Sequence, residues 1–325
     1  MINKTDDSFR TKLLSKDRKG CIEYFNTNLS VEKLVSSLHD LLFLSGLIIH
    51  SQSTIHPVCI VNSIKNFISD DKSNPSEILL SFLIDYLFQF EVRDNDKIIF
   101  DNALRKGVAK TAFIGDLEDA CQNGEWDKAE SQLADIFIAS DQSRGAFDAL
   151  AGLALQDCPQ NALYVYHILR AYQFQERKED NWTFTCSLFN YIKNKKLPRP
   201  HKREKINLEA LKSGVIKEGD VVFFSAMNRI LEGKYTRSEG YNREITFWMS
   251  KIDFPKLKFL KNKNKLRNSK SISFSDLAEK IISMEKIESQ KLLDIVTLEA
   301  LRFILKDNDQ LNFDIIMKRF PYLLS

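Results

Sequence analysis

A chain of 325 residues, 43% hydrophobic and 28% charged, has the composition of an ordinary globular protein, long enough for two units or one extended helical array. With 11 Gly and 7 Pro it lacks the turn residues of a β-sandwich or barrel, so the expected fold class is all-α, a multi-helical array or bundle. The net charge of +3 hides a split, because residues 1–192 hold 19 Lys and Arg against 27 Asp and Glu, whereas residues 193–325 hold 28 against 17.

This split predicts an acidic helical domain over 1–192, a basic proline-containing linker over 193–205 and a smaller basic helical C-terminal domain over 206–325. The opening "MINKTDDSFRTKLLSKDRKG" has no apolar core of the kind a secretory signal needs. The longest apolar stretch, "LLFLSGLIIH", is about half a membrane span, so a cytoplasmic chain without membrane insertion is expected. Cys21, Cys59, Cys121, Cys158 and Cys186 are odd in number and widely spaced, which predicts buried thiols rather than a disulfide frame or zinc site.

In chain order, "SVEKLVSSLHDLLFLSGLII" begins with Ser30 as N-cap and carries Val31, Leu34, Val35, Leu38, Leu41 and Leu42 at helical spacing. After the polar break "SQST", Pro57 is placed to start the next helix, "PVCIVNSIKNFI". "NPSEILLSFLIDYLFQFEV" has Pro75 early and apolar residues nearly all round, and is expected to be central, with Phe82, Phe88 and Phe90 filling interfaces. "LEDACQNGEWDKAESQLADIF" spaces Ala120, Gly124 and Ala129 around a turn and resembles a tetratricopeptide-type helical hairpin; no second copy follows at the period of such arrays. "SRGAFDALAGLAL" and "PQNALYVYHILRAYQF" continue as helices. Pro198 and Pro200 then break the chain in "KNKKLPRPHKREK", where His201 is expected to be solvated. "GDVVFFSAMNRILEG" is read as a helix despite its β-branched start, Ser273 or Ser275 is expected to cap the helix beyond, and "NFDIIMKRFPYLL" closes the chain.

The marked phosphate-loop, dinucleotide, nucleophile-elbow and H-E-x-x-H motifs do not occur. The histidines are the remaining lead, since imidazole binds metals and titrates near neutrality. His50, His56 and His167 are the candidate metal or haem ligands if the helices bundle, with Asp40, Asp85 and Asp148 to orient them. His39 is expected to be structural. Cys59, three residues after His56, is a weak candidate nucleophile.

The cationic segments are the candidate nucleic-acid contacts, through Lys195, Lys196, Arg199, Lys202 and Arg203, then Lys261, Lys263, Lys265 and Arg267. Phe259, Tyr235, Tyr241 and Trp248 could supply stacking surfaces. The expected function is a helical interaction or scaffold protein that binds a protein partner in a groove. The alternatives are a metal- or haem-dependent enzyme using the core histidines, and a nucleic-acid-associated protein using the lysine-rich segments.

Overall fold

A computed structural model describes residues 8–27, 29–51, 54–107, 111–175, 177–252, 273–305, 315–316 and 318–324. Among these every regular element is a helix, and the one β-type pairing is an antiparallel bridge between Ile48 and Val92. The all-α expectation is met.

Helix α1 (Phe9–Leu14) packs on α3 (Val31–Leu47), and α2 (Arg18–Asn26) on α5 (Glu77–Leu87). Arg10 fixes α1 in place: its Nε donates to Asp40 at 2.7 Å, and its two terminal nitrogens donate to Asp180 at 2.8 and 2.7 Å. Ser30 caps α3, its hydroxyl accepting the Lys33 N–H at 3.3 Å. Pro57 begins α4 (Pro57–Ile68), whose positions are all buried except Asn66. That burial makes α4 the central helix of the first half. The expected centre, α5, is instead a flank with Ile78 48% exposed, and Pro75 stands outside it, just before the cap Ser76. Phe82 and Phe90 are half-buried there, packing with Tyr86.

After α6 (Asp96–Lys106), helices α7 (Ile114–Gln122) and α8 (Trp126–Ala139) form the expected hairpin. Gly124 turns it at φ 74°, a left-handed conformation that glycine adopts without a Cβ clash. Then come α9 (Gly145–Ala154), a 3-10 turn (Leu155–Asp157), α10 (Cys158–Phe174) and α11 (Asp180–Ile192).

Residues 195–207 have no helix, as the prolines dictate, yet they are a strap rather than a tether. Leu197 and Ile206 pack on the core, and Gln122 donates to the Pro198 carbonyl at 3.3 Å. His201 departs from its expected solvation: Nδ1 lies 2.7 Å from Glu244 and the ring stacks on Phe247 at 3.9 Å. The buried Glu244 carboxylate needs such partners, and the imidazole and backbone N–H of His201 supply two of them.

Beyond the strap lie α12 (Leu208–Glu218), α13 (Val221–Glu232), α14 (Ser238–Ser250), α15 (Phe274–Ser283) and α16 (Glu288–Ile304). "GDVVFF" is helical from Val221, with Asp220 as its cap, and Ser273 rather than Ser275 caps α15. Helix α10 packs on α4 and α13, while α16 packs on the same two helices. The described residues of 206–325 therefore share one apolar core with those of 1–192. Ion pairs join the two charge-biased segments as well, Arg237 with Glu118 and Arg302 with Asp70. The final helix expected over 312–324 lies partly outside the described residues.

All five cysteines are buried and free, as expected. Burial pushes the thiols of Cys21 and Cys121 up to about 12, and that of Cys59 higher still. A thiolate at Cys59 is thereby disfavoured, and the helix N-terminus does not offset the loss of solvent. No described helix is long and apolar enough to cross a membrane.

Candidate functional site

The corner between α3 and α4 is built by backbone pairing and one arginine. The N–H of Ile49 donates to the Glu91 carbonyl at 2.9 Å, and that of Arg93 to Leu47 at 2.8 Å. Arg93 also reaches the Gly46 carbonyl at 2.8 Å and is held bidentately by Asp96 at 2.8 and 3.0 Å. Its charge is thus neutralised locally, while its fork ties the end of α3 to the start of α6. His56 precedes Pro57 and is extended, as a residue before proline must be. In that conformation its side chain turns back and caps α4, Nδ1 accepting the Val58 N–H at 3.1 Å. The bond fixes the tautomer, leaving the proton on Nε2.

From this corner a series of rings runs inward. The centroids of His50 and His56 are 4.9 Å apart, His56 and Tyr164 are 4.6 Å apart, and Tyr164 stacks on Tyr191 at 3.8 Å and 21°. The ammonium of Lys195 covers the far face of the series at 3.8 Å from the Tyr191 centroid. Tyr164 comes from α10, Tyr191 from α11 and Lys195 from the strap, so three distant segments complete what the loop begins. The Tyr164 hydroxyl shares a hydrogen bond with Ser187 at 2.8 Å, and Lys195 donates to Asn161 at 3.0 Å.

Beside the rings lies a cavity of about 220 Å³ lined by His50, His56, Arg93, Ser187, Asn190 and Tyr191. A neighbouring cavity of about 310 Å³ shares Ile49, Arg93 and Asn190 with it and extends toward Trp182 and Phe189. Burial holds both imidazoles below their ordinary value, His56 far below because it is the more deeply buried, with smaller contributions from His50 and Arg93. Burial raises the phenols of Tyr164 and Tyr191. The pocket consequently presents two uncharged imidazoles and the Tyr191 phenol at neutral pH, beside the ion-paired Arg93. Lys195, on the Tyr191 ring, is drawn down to about 8 by partial burial.

Of the three nominated metal ligands, the structure pairs His50 with His56. His167 has its own partner, with Nδ1 2.9 Å from Asn62 Nδ2. Among the described residues no group of three His, Cys, Asp or Glu is placed to hold a metal ion. The nominated acids are occupied by arginines instead: Asp40 by Arg10, Asp85 by Arg18 and Asp148 by Arg144. Each carboxylate finds its cation within an N-terminal or local contact, which sequence spacing to the histidines did not reveal.

Among the nominated cations, Lys196, Arg199 and Lys202 are exposed and Arg203 pairs with Glu239 at 3.1 Å. Lys261, Lys263, Lys265, Arg267 and the nearby Phe259 lie outside the described residues. Tyr241 is not a stacking surface, being fully buried with its hydroxyl donating to the Asp148 carbonyl. Trp248 is half-buried, its indole N–H donating to the Gln156 carbonyl at 3.1 Å.

No family model matches the chain, and no curated protein and no solved structure is significantly similar to it.

Proposed function

We infer that the chain is a helical small-molecule-binding protein whose ligand occupies the cavity at the His50–His56 corner. The observation that carries this is the pair of neutral imidazoles 4.9 Å apart on a cavity wall, one of them locked as an Nε2–H donor by its own helix cap. Such a wall suits a small, planar, uncharged molecule that stacks on rings and accepts a hydrogen bond from His56. His50, half-buried and hydrogen-bonded to Thr54 at 3.1 Å, supplies the second ring of that wall. A nucleic-acid partner would rest on Lys196, Arg199 and Lys202, which are exposed, since Lys195 is packed on Tyr191 and Arg203 is ion-paired.

The test is a titration of the ¹⁵N-labelled full chain with benzimidazole and 2-pyridone, read at the histidine ring nitrogens. Saturable shifts at His50 and His56, lost in His50→Ala, support ligand binding at this corner. Identical titrations of wild type and variant would overturn it, and stoichiometric metal in the purified protein, lost in His56→Ala, would replace it.

A further inference from the structure

A second cavity, of about 310 Å³, opens where α4, α10, α13 and α16 meet, and three guanidiniums share its wall: Arg170, Arg229 and Arg302. Arg229 is 8% exposed; its Nη1 donates to both oxygens of Glu299 at 2.8 and 2.7 Å and to the Tyr166 hydroxyl at 2.6 Å. Glu299 accepts a further bond from Asn66 at 2.7 Å. Arg302 gives Nε and Nη2 to Asp70, leaving Nη1 at 4.0 Å from Glu299. Two arginines are thus balanced by carboxylates.

Arg170 is different. It is exposed, donates to the neutral side chain of Gln173 at 2.9 Å, and among the described residues has no carboxylate ion-paired with it. The other acid on the wall, Glu232, accepts a bond from Asn228 at 2.8 Å. Directly behind Asn66, the buried Lys65 is drawn down to about 7 by burial and by the charges of Arg170, Arg302 and Arg229, with Glu299 opposing. Loss of solvent is the main cause of that shift, and the arginines add to it. Phe303, 4.1 Å beneath the Arg229 guanidinium, and Tyr235 give the same cavity an apolar side. Gly233 makes room for it, since a Cβ there would collide with the Tyr235 ring.

The geometry points to an oxyanion site in this cavity, which receives a phosphate group through Arg170 and the Nη1 edge of Arg302. Two guanidiniums offered from different helices, α10 and α16, supply donors to more than one oxygen of a phosphate dianion. The volume admits a phosphate alone or a small phosphomonoester whose organic part rests on Tyr235 and Phe303. The histidine corner is a separate cavity, and the two sites stand or fall independently.

Calorimetric titration of the full chain with inorganic phosphate and with phenyl phosphate at low ionic strength tests this. One saturable site is expected, weakened by about tenfold or more in Arg170→Gln and by less in Arg170→Lys. Because Arg170 is exposed, both variants should melt as the wild type does. Tighter binding of phenyl phosphate identifies a monoester as the occupant, and equal binding identifies free phosphate; either supports the site. An absence of saturation in the millimolar range, an unchanged affinity in Arg170→Gln, or tighter binding of benzoate than of either phosphate overturns it.

Discussion

The imidazole Nδ1 of His56 accepts the backbone N–H of Val58 at 3.1 Å, so a histidine performs the capping role usually given to Ser, Thr, Asp or Asn. The same ring packs against His50 and Tyr164. His56→Ala should therefore lose both the cap and the ring contacts, about 2–4 kcal/mol together in urea unfolding. His56→Asn restores an acceptor at the cap and should recover about 1 kcal/mol of that loss. Equal losses in the two variants would show that the cap contributes nothing.

His167 is buried beside Asn62 and held near pH 3 by loss of solvent and by Arg229 and Lys65, with Glu299 opposing. Its unfolded value is near 6.5, so between pH 6.5 and 3 the unfolded chain binds a proton that the fold refuses. Stability must then fall as pH is lowered through that window, by up to about 1.4 kcal/mol per pH unit for each such histidine. Unfolding free energies measured from pH 6.5 to 4.5 should drop less steeply in His167→Gln than in the wild type. Parallel slopes would remove His167 from the account.

Lys65 lies at the same crowded junction, with its ammonium over Phe174 at 4.3 Å. Its ordinary value of 10.5 falls to about 7 in the fold, so between these limits the unfolded chain again binds the extra proton. Stability should rise from pH 7 to 9 in the wild type, and Lys65→Met should abolish that rise. Since a charge is no longer forced into the core, Lys65→Met should also be more stable at pH 7, by on the order of 1–2 kcal/mol. A destabilised variant would mean that the contact with Phe174 outweighs desolvation.

Arg229 and Glu299 are buried together, so removing either leaves a charge without its partner. Arg229→Met and Glu299→Leu should each lose about 3–5 kcal/mol, while the double variant should regain most of it. The cycle is read by equilibrium unfolding, and simple additivity of the two losses would contradict a coupled pair.

The helices were legible wherever a local rule decides them. Ser30, Pro57 and Ser273 mark their helix starts by chemistry confined to a few residues. The corner at His50 and His56 was legible for the same reason, as a polar break between apolar runs. Tyr164, Tyr191 and Lys195 were not, because they reach that corner from helices and a strap more than a hundred residues away. Tyr191 and Lys195 are four apart, the one local hint that a cation would cover that ring. Arg170, Arg229 and Glu299 were missed because single charges on amphipathic helices look like a solvated face. Only tertiary packing reveals that three such faces turn toward one another. Helix α5 is less central than its apolar composition suggests, since composition does not say how many sides find neighbours.

The clamp made by Arg10 on Asp40 and Asp180 has a consequence for biogenesis. A chain leaving the ribosome N-terminus first presents α1 and α3 early, but Asp180 emerges only after a further 170 residues. At about 5–20 residues per second, Arg10 waits roughly ten to thirty seconds for its second anchor. During that interval Asp40 and the rings of Tyr24 and Phe25 against Phe9 are the partners at hand, so α1 docks in two stages and α11 locks it.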